Sequence, residues 1–431
     1  MSTVIKTEPN AFKDQLAVRS WKLPLTFGAL ALFAILVFAI FGPDGRATFR
    51  LSQDGDAWQL PDLVLPAKPV GILAAAGCVA LAILSYLQTK LEGRTRRSVS
   101  NAFTVLFVLG LLVWIIGGTK SQNITLVGLF TGAMLIITPL VFGSLSGVLC
   151  ERSGVVNIAI EGQLLAGAFT AALVGSITGN AYAALVAAAA AGVLVSVLLA
   201  AFSIKYLVNQ IIVGVVLNVL VAGLTGFLFE KIMKIKVQGV TVYNDPPHLP
   251  NLPIPLLSDI PMLGPMFFRQ SIIGYLMLVL VAVIWFGLFR TRWGLRVRAV
   301  GEHPQAADTM GINVNRTRFI NVLAGGAVAG VGGAYFTLVA VSSFSKDMTG
   351  GLGFIALAAL IFGRWNPIGA FLAALLFGVA GNLQSILSLA VTPIDGQFLA
   401  MLPYALTILA VSGLVGKSRA PAASGEPYIK G

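Results

Sequence analysis

The chain has 431 residues, 57% of them hydrophobic and only 11% charged, far more apolar than the core of a water-soluble domain requires. This composition excludes a soluble enzyme or binding module and requires a polytopic membrane protein. Lys and Arg outnumber Asp and Glu 29 to 17, a balance that would point to nucleic acid in a soluble chain. In a membrane protein the same residues collect in cytoplasmic loops and set orientation, so no nucleic-acid partner is expected.

The first apolar run, Leu23 to Gly42, has the length that crosses a bilayer and reads as a retained first helix, because no small-residue cleavage site follows it. Further runs fall at about 69–88, 103–118, 125–149, 156–176, 182–203, 211–229, 271–289, 318–342, 352–363, 366–388 and 397–413. The expected fold is an all-α polytopic integral membrane protein of about 12 membrane segments, including short broken or re-entrant ones such as 352–363. With the N-terminus inside and strict alternation, the inner loops hold 20 Lys and Arg and the outer loops 9, which supports N-in and C-in.

Residues 1–100 read as an N-terminal extension of two extra helices ending in the basic linker Thr89–Asn101. Residues 101–414 read as the transmembrane core and 415–431 as a cytoplasmic tail. Of the large outer loops, 43–68 carries Asp44, Asp54, Asp56 and Asp62 and reads as exposed and polar. Loop 231–269 combines a β-like stretch with a Pro-rich one, which excludes a continuous helix and suits a cap where a delivering partner docks.

Several motifs lead nowhere. Gly416-Lys417-Ser418 resembles the end of a phosphate-binding loop, but Val411 stands where its first glycine belongs and no strand precedes it. Gly350–Ala356 lacks the spacing and setting of a dinucleotide fingerprint. His248 and His303 are far apart, and Cys78 and Cys150 lie in or beside apolar runs, where they read as small hydrophobes. With no catalytic set, no metal cluster and no cofactor motif, the chain reads as a non-enzyme. In Asn321–Phe336, Gly325, Ala329 and Gly333 form one helical row and Gly326, Gly330 and Ala334 the next, the mark of a close packing seam.

The loop Phe289–Phe319 is fixed in the cytoplasm by Arg290, Arg292, Arg296, Arg298, Arg316 and Arg318. Within it Pro304 to Met310 reads as a two-turn helix, with proline at its first turn and Gly311 where a left-handed residue ends it. Such an isolated helix is suited to contact another protein. Ala299–Arg318 resembles the cytoplasmic coupling segment of permeases of ATP-binding-cassette importers, in the superfamily that handles branched-chain amino acids, ribose and simple sugars. Glu151–Phe169, Asn209–Leu220 and Gly351–Gly378 narrow the resemblance to the nucleoside and simple-sugar branch, over about residues 125–413; residues 1 to about 100 lie outside it.

The resemblance implies a permease subunit in the bacterial plasma (inner) membrane, moving nucleosides by alternating access. Its implied partners are a separate cytoplasmic ATPase, a second permease subunit (a paralogue or itself), an extracytoplasmic solute-binding lipoprotein and membrane lipid. Glu302, His303, Pro304, Gln305, Ala306, Ala307, Asp308, Thr309, Met310 and Gly311 would form the coupling helix in a groove of the ATPase. The alternatives are a ribose-like simple-sugar importer and, from another class, an ATPase-independent secondary transporter.

Broken helices supply binding sites in transporters, and Ser153–Gly162 and Thr349–Leu360 are the two candidates, which a repeat of inverted topology would explain. Amides donate and accept without demanding a counter-charge, so Asn157, Gln163, Asn209, Gln210, Asn218, Asn382 and Gln384 are the candidate pathway residues for a neutral polar solute, with interhelical bonding as the competing role. Glu161 joins them as a carboxylate at membrane depth, where a structural or helix-terminal role is favoured over proton coupling.

Overall fold

The computed structural model describes residues 22–50, 52, 59–87, 93–118, 126–237, 240–261, 263–389 and 419–430. The run at 397–413 and the Gly416-Lys417-Ser418 motif lie outside the described residues.

The chain divides into two compact units. The first comprises Met1–Phe49, Asp62–Ile124 and Ala390–Pro393. It contains helix α1 (Lys22–Ala34, prolonged by a wide turn at Ile35–Ile40), strands β1 (Arg46–Phe49) and β2 (Leu63–Pro66), and helices α2 (Ala67–Leu87) and α3 (Gly93–Gly118). Phe27 stacks on Phe103 with centroids 4.1 Å apart, and Phe38, Ala75 and Cys78 complete the buried contact among the helices. Cys78 is thus the small core hydrophobe its sequence setting implies. Helix α3 takes in most of the basic stretch 89–101, so this unit holds three helices among the described residues. Loop 43–68 is not all irregular: β1 and β2 pair antiparallel, Arg46 opposite Pro66 and Phe49 opposite Leu63. The alternation that drives the pairing, Ala47 and Phe49 inward, is only two residues deep and is obscured by the flanking aspartates.

The second unit holds helices α4 (Leu126–Arg152), α5 (Ile160–Thr178), α6 (Ala181–Ala200) and α7 (Gln210–Leu228). Short antiparallel pairs follow, β3 (Lys236–Val237) with β4 (Val240–Thr241) and β5 (Asn251–Pro253) with β6 (Arg269–Ser271), all within the loop read as partly β-like. Then come α8 (Ile272–Arg290), α9 (Arg292–Glu302), α10 (Pro304–Thr309), α11 (Val314–Tyr335), α12 (Leu352–Phe362) and α13 (Pro367–Leu389). Polar caps open several of these: Asn180, Asn209, Ser271, Thr291 and Asn313 each accept from backbone N–H groups of the turn that follows. Among the described residues, nine helices across the two units are long and apolar enough to span a bilayer, and Pro24–Ile40 and Leu352–Phe362 are shorter apolar helices.

Helix α4 is the axis of this unit. It packs against α11, α12 and α13, and from Ile137 to Glu151 every side chain is buried. Helix α11 threads between α4, α5 and α6 along the two rows of small residues. A Cβ on Gly330 would strike the Ala188 carbonyl, one on Gly326 the Ser196 hydroxyl and one on Gly333 the Leu164 carbonyl. The seam brings backbones together at distances that any side chain would prevent. A Gly330→Leu variant is expected to lose more than about 3 kcal/mol of stability, since backbone cannot yield as a side chain can; thermal unfolding in detergent measures this.

Candidate functional site

The membrane helices of the second unit are interrupted twice. After α4 the chain leaves helical geometry at Ser153–Ala159, with Gly154 at φ +92°, so the span expected at 156–176 begins at Ile160. After α11 and its wide turn Phe336–Ala340, helix resumes only at Leu352, preceded by Gly350 and Gly351 at φ +54° and +82°. Helix α12 has 11 residues and rises about 16 Å, half of what a hydrocarbon core demands. Each break frees backbone donors and acceptors that hydrocarbon cannot satisfy.

Side chains satisfy them. The Glu161 carboxylate accepts from Thr349 Oγ1 at 2.6 Å, Gly351 N–H at 2.9 Å and Gly353 N–H at 2.6 Å, and so caps the start of α12 from the first turn of α5. Three donors and the positive end of α12 thus converge on one carboxyl group. Gly353 is required by the contact: a Cβ there would lie 2.5 Å from Glu161 Cα.

At the other end of α12, Arg152 Nε donates to the Trp365 carbonyl at 2.8 Å, and Trp365 Nε1 donates to the buried Glu151. Arg364 and Trp365 both have positive φ, 55° and 52°, a tight reversal into Asn366, whose side chain accepts from Ile368 N–H at 2.9 Å as α13 starts. The charged residues flanking the first break thus hold α12 at both ends.

The amides divide by partner. Asn157 and Gln163 are fully buried in a network with Ser146 and Ser196: Asn157 Nδ2 donates to Gln163 Oε1 at 3.0 Å and to Ser146 Oγ at 3.1 Å, while Gln163 Nε2 donates to Ser196 Oγ at 2.8 Å. From α7, Asn218 accepts from Gly162 N–H and donates to the Ile158 carbonyl, both at 2.8 Å, and Gln210 accepts from Val156 N–H at 2.7 Å. Asn209 is exposed and caps α7, accepting from Ile211 N–H at 2.9 Å. Asn382 donates to the Leu129 carbonyl at 2.7 Å, and Gln384, two residues on, is half-buried. The structure brings Asn157, Glu161, Gln163, Gln210 and Asn218 together around the first break and places Asn382 and Gln384 apart from them, on α13.

The arginine-rich loop is more ordered than its composition suggests. Residues 292–302 form α9, with Gly294, Val297, Val300 and Gly301 buried. Helix α10 follows at once, with Pro304 first and Gly311 at φ +80° beyond its end, as Pro and Gly at those positions predict. Its exposed side includes Gln305, Ala306 and Thr309, and Met310 beside it is 81% exposed, while Ala307 is buried.

Two breaks in the membrane core and a short helix set between two spans describe a membrane transport subunit of the permease kind. Residues 128–411 match the family described as branched-chain amino acid transport system / permease component, and the chain belongs to that family. The guanosine ABC transporter permease protein NupQ of Bacillus subtilis is 43% identical over 302 residues, covering 68% of this chain and 93% of that protein. The nucleoside ABC transporter permease protein NupC of Lactococcus lactis is 40% identical over 302 residues, 68% of this chain and 94% of that one. The putative glucose ABC transporter permease protein TsgC13 of Haloferax volcanii is 33% identical over 307 residues, 66% and 91% respectively. No solved structure matches the chain.

The chain is therefore a multi-pass plasma-membrane permease component and not an enzyme; in such transporters hydrolysis resides in a separate ATPase, and a substrate-binding protein completes the system.

A Glu161→Ala variant leaves three donors at the start of α12 unpaired and is expected to cost about 3 kcal/mol or more, with Glu161→Gln losing less because one acceptor remains. Thermal unfolding of the two purified variants beside the unaltered chain measures the difference.

Proposed function

We propose that this chain is a permease subunit of an importer for nucleosides, working with a second permease subunit, a cytoplasmic ATPase on α10 and an extracytoplasmic solute-binding lipoprotein. The observation that carries the substrate class is the similarity to NupQ and NupC, named for guanosine and nucleoside transport, at 43% and 40% identity across nearly their whole length. The second reading, a sugar importer, rests on TsgC13, the putative glucose permease, at 33%.

The geometry supports a mechanism of alternating access. Glu161 ties α5 to α12, so the two broken helices shift together rather than independently. The half-buried groups Glu161, Asn382 and Gln384 are the candidates for direct contact with solute. Asn157, Gln163, Gln210 and Asn218 shape the pathway by holding the first break, and Asn209 caps α7. Glu302 to Gly311 supplies the ATPase contact, through Gln305, Ala306, Thr309 and Met310 on its outer side.

The test is uptake of labelled guanosine, with ribose and glucose as competitors, into vesicles carrying the complete complex. ATP-dependent, saturable guanosine uptake unaffected by either sugar is expected. Competition by the sugars favours the second reading, and uptake by the chain without an ATPase overturns the importer. In the same vesicles Met310→Asp puts a charge on the docking face and is expected to weaken ATPase association about tenfold, with the chain itself intact.

A further inference from the structure

The described C-terminal residues 419–430 lie against α9, α10, the start of α11 and the break after α4. Ala423 N–H donates to the Gly301 carbonyl at 2.9 Å, and Ala422 N–H to Glu302 Oε2 at 3.2 Å, joining this segment to the end of α9. Gly425 N–H donates to the Gly154 carbonyl at 3.2 Å, and Arg318 Nη1 to the Glu426 carbonyl at 2.9 Å, joining it to the break after α4 and to the second turn of α11. Tyr428 is buried with Val300, Ala307 and Val314, and its hydroxyl donates to Asp308 of α10. Burial and the Asp308 carboxylate both push the phenol above its ordinary range.

Two further facts bear on what this segment does. Helix α10 has six residues, too few to hold itself, and its buried residue Ala307 rests in the cluster that Tyr428 completes. Arg318 is 2% exposed, and its Nε and Nη2 have no hydrogen-bond partner among the described residues. Its Nη2 lies 2.8 Å from where a Gly154 Cβ would be, at the junction of segment, break and α11. A buried guanidinium with idle donors is costly.

We propose that residues 421–428 are a strap that ties the coupling helix to the break after α4, with Arg318 as its positioning residue, so that displacement of α10 by the ATPase reaches the pathway. This rests on the importer reading. The strap touches both α10, through Tyr428, and the Gly154 turn, through Gly425, beside α9, whose Gly301 packs on Arg152 and Gly154. Without it, motion of α10 would have to travel through α9 and α11 alone.

The experiment uses the complete complex in vesicles and reads guanosine moved per ATP hydrolysed, with ATPase association measured alongside. Three variants are compared with the unaltered chain: deletion of 422–431, Tyr428→Ala and Tyr428→Phe. The deletion and Tyr428→Ala are expected to keep the ATPase bound and hydrolysing while guanosine per ATP falls about tenfold, with Tyr428→Phe between them and the unaltered chain. If the deletion does not accumulate, Tyr428→Ala carries the test. An unchanged ratio in Tyr428→Ala, or loss of ATPase binding with the ratio unchanged, overturns the strap. An unaltered complex without ATP-dependent guanosine uptake defeats the importer reading, and the strap's role with it. A transporting unaltered complex beside variants of equal ratio defeats the strap alone.

Discussion

A helix broken in hydrocarbon must have every freed backbone group satisfied from within the protein, because no water is there to do it. The second unit is organised around that constraint. Glu161 takes the N–H groups at the start of α12, Arg152 takes the carbonyl at its end, Asn218 takes Gly162 N–H and supplies Ile158, and Gln210 takes Val156 N–H. Each is a single side chain performing for a broken helix what an intact one does for itself. The concentration of polar groups between Cys150 and Leu165 is the direct consequence: Glu151, Arg152 and Glu161 flank the first break and hold α12, while Gln210 and Asn218 reach in from α7 to close the first break itself.

The constraint also explains why the core is rigid where it is not broken. With α4 buried from Ile137 to Glu151 and α11 pressed against α5 and α6 through glycine, the helices have little freedom to slide individually. Motion is left to the places where backbone bonding is delegated to side chains, since a side-chain hydrogen bond can be exchanged for another at small net cost while a helix register cannot. The breaks at 153–159 and 341–351 are therefore both the costly parts of the fold and the movable ones.

What the sequence reveals is what local pattern encodes. The spans are legible because an apolar run near 20 residues has one use, and α10 is legible because Pro304 and Gly311 act on the residues beside them. The breaks are visible in Gly154, Gly350 and Gly351, though not their extent, which moves the start of α5 to Ile160. Helix α9 is hidden by its arginines, whose density suggests a loop while Val297 and Val300 face inward. Partners distant in sequence leave no local trace: nothing near Glu161 points to Thr349, nothing near Glu151 to Trp365, and nothing in Ala423–Tyr428 to Gly154 or Ala307. The amides show the ambiguity most directly. An amide is chosen for solute contact because it donates and accepts, and for the same reason it can replace a missing peptide partner, as Asn218 does on both sides at once.

That double capacity bears on how solute could be recognised. The buried amides Asn157, Gln163, Gln210 and Asn218 are committed to one another, to serines or to backbone, and the half-buried Glu161 and Asn382 also hold protein partners, which leaves few polar groups free to meet a solute. Selection among solutes is better made where many polar contacts can be arranged around one molecule, in the substrate-binding protein that such transporters employ. Within the permease, Glu161 already occupies the positive end of α12, so that end has no free N–H groups to offer an anion.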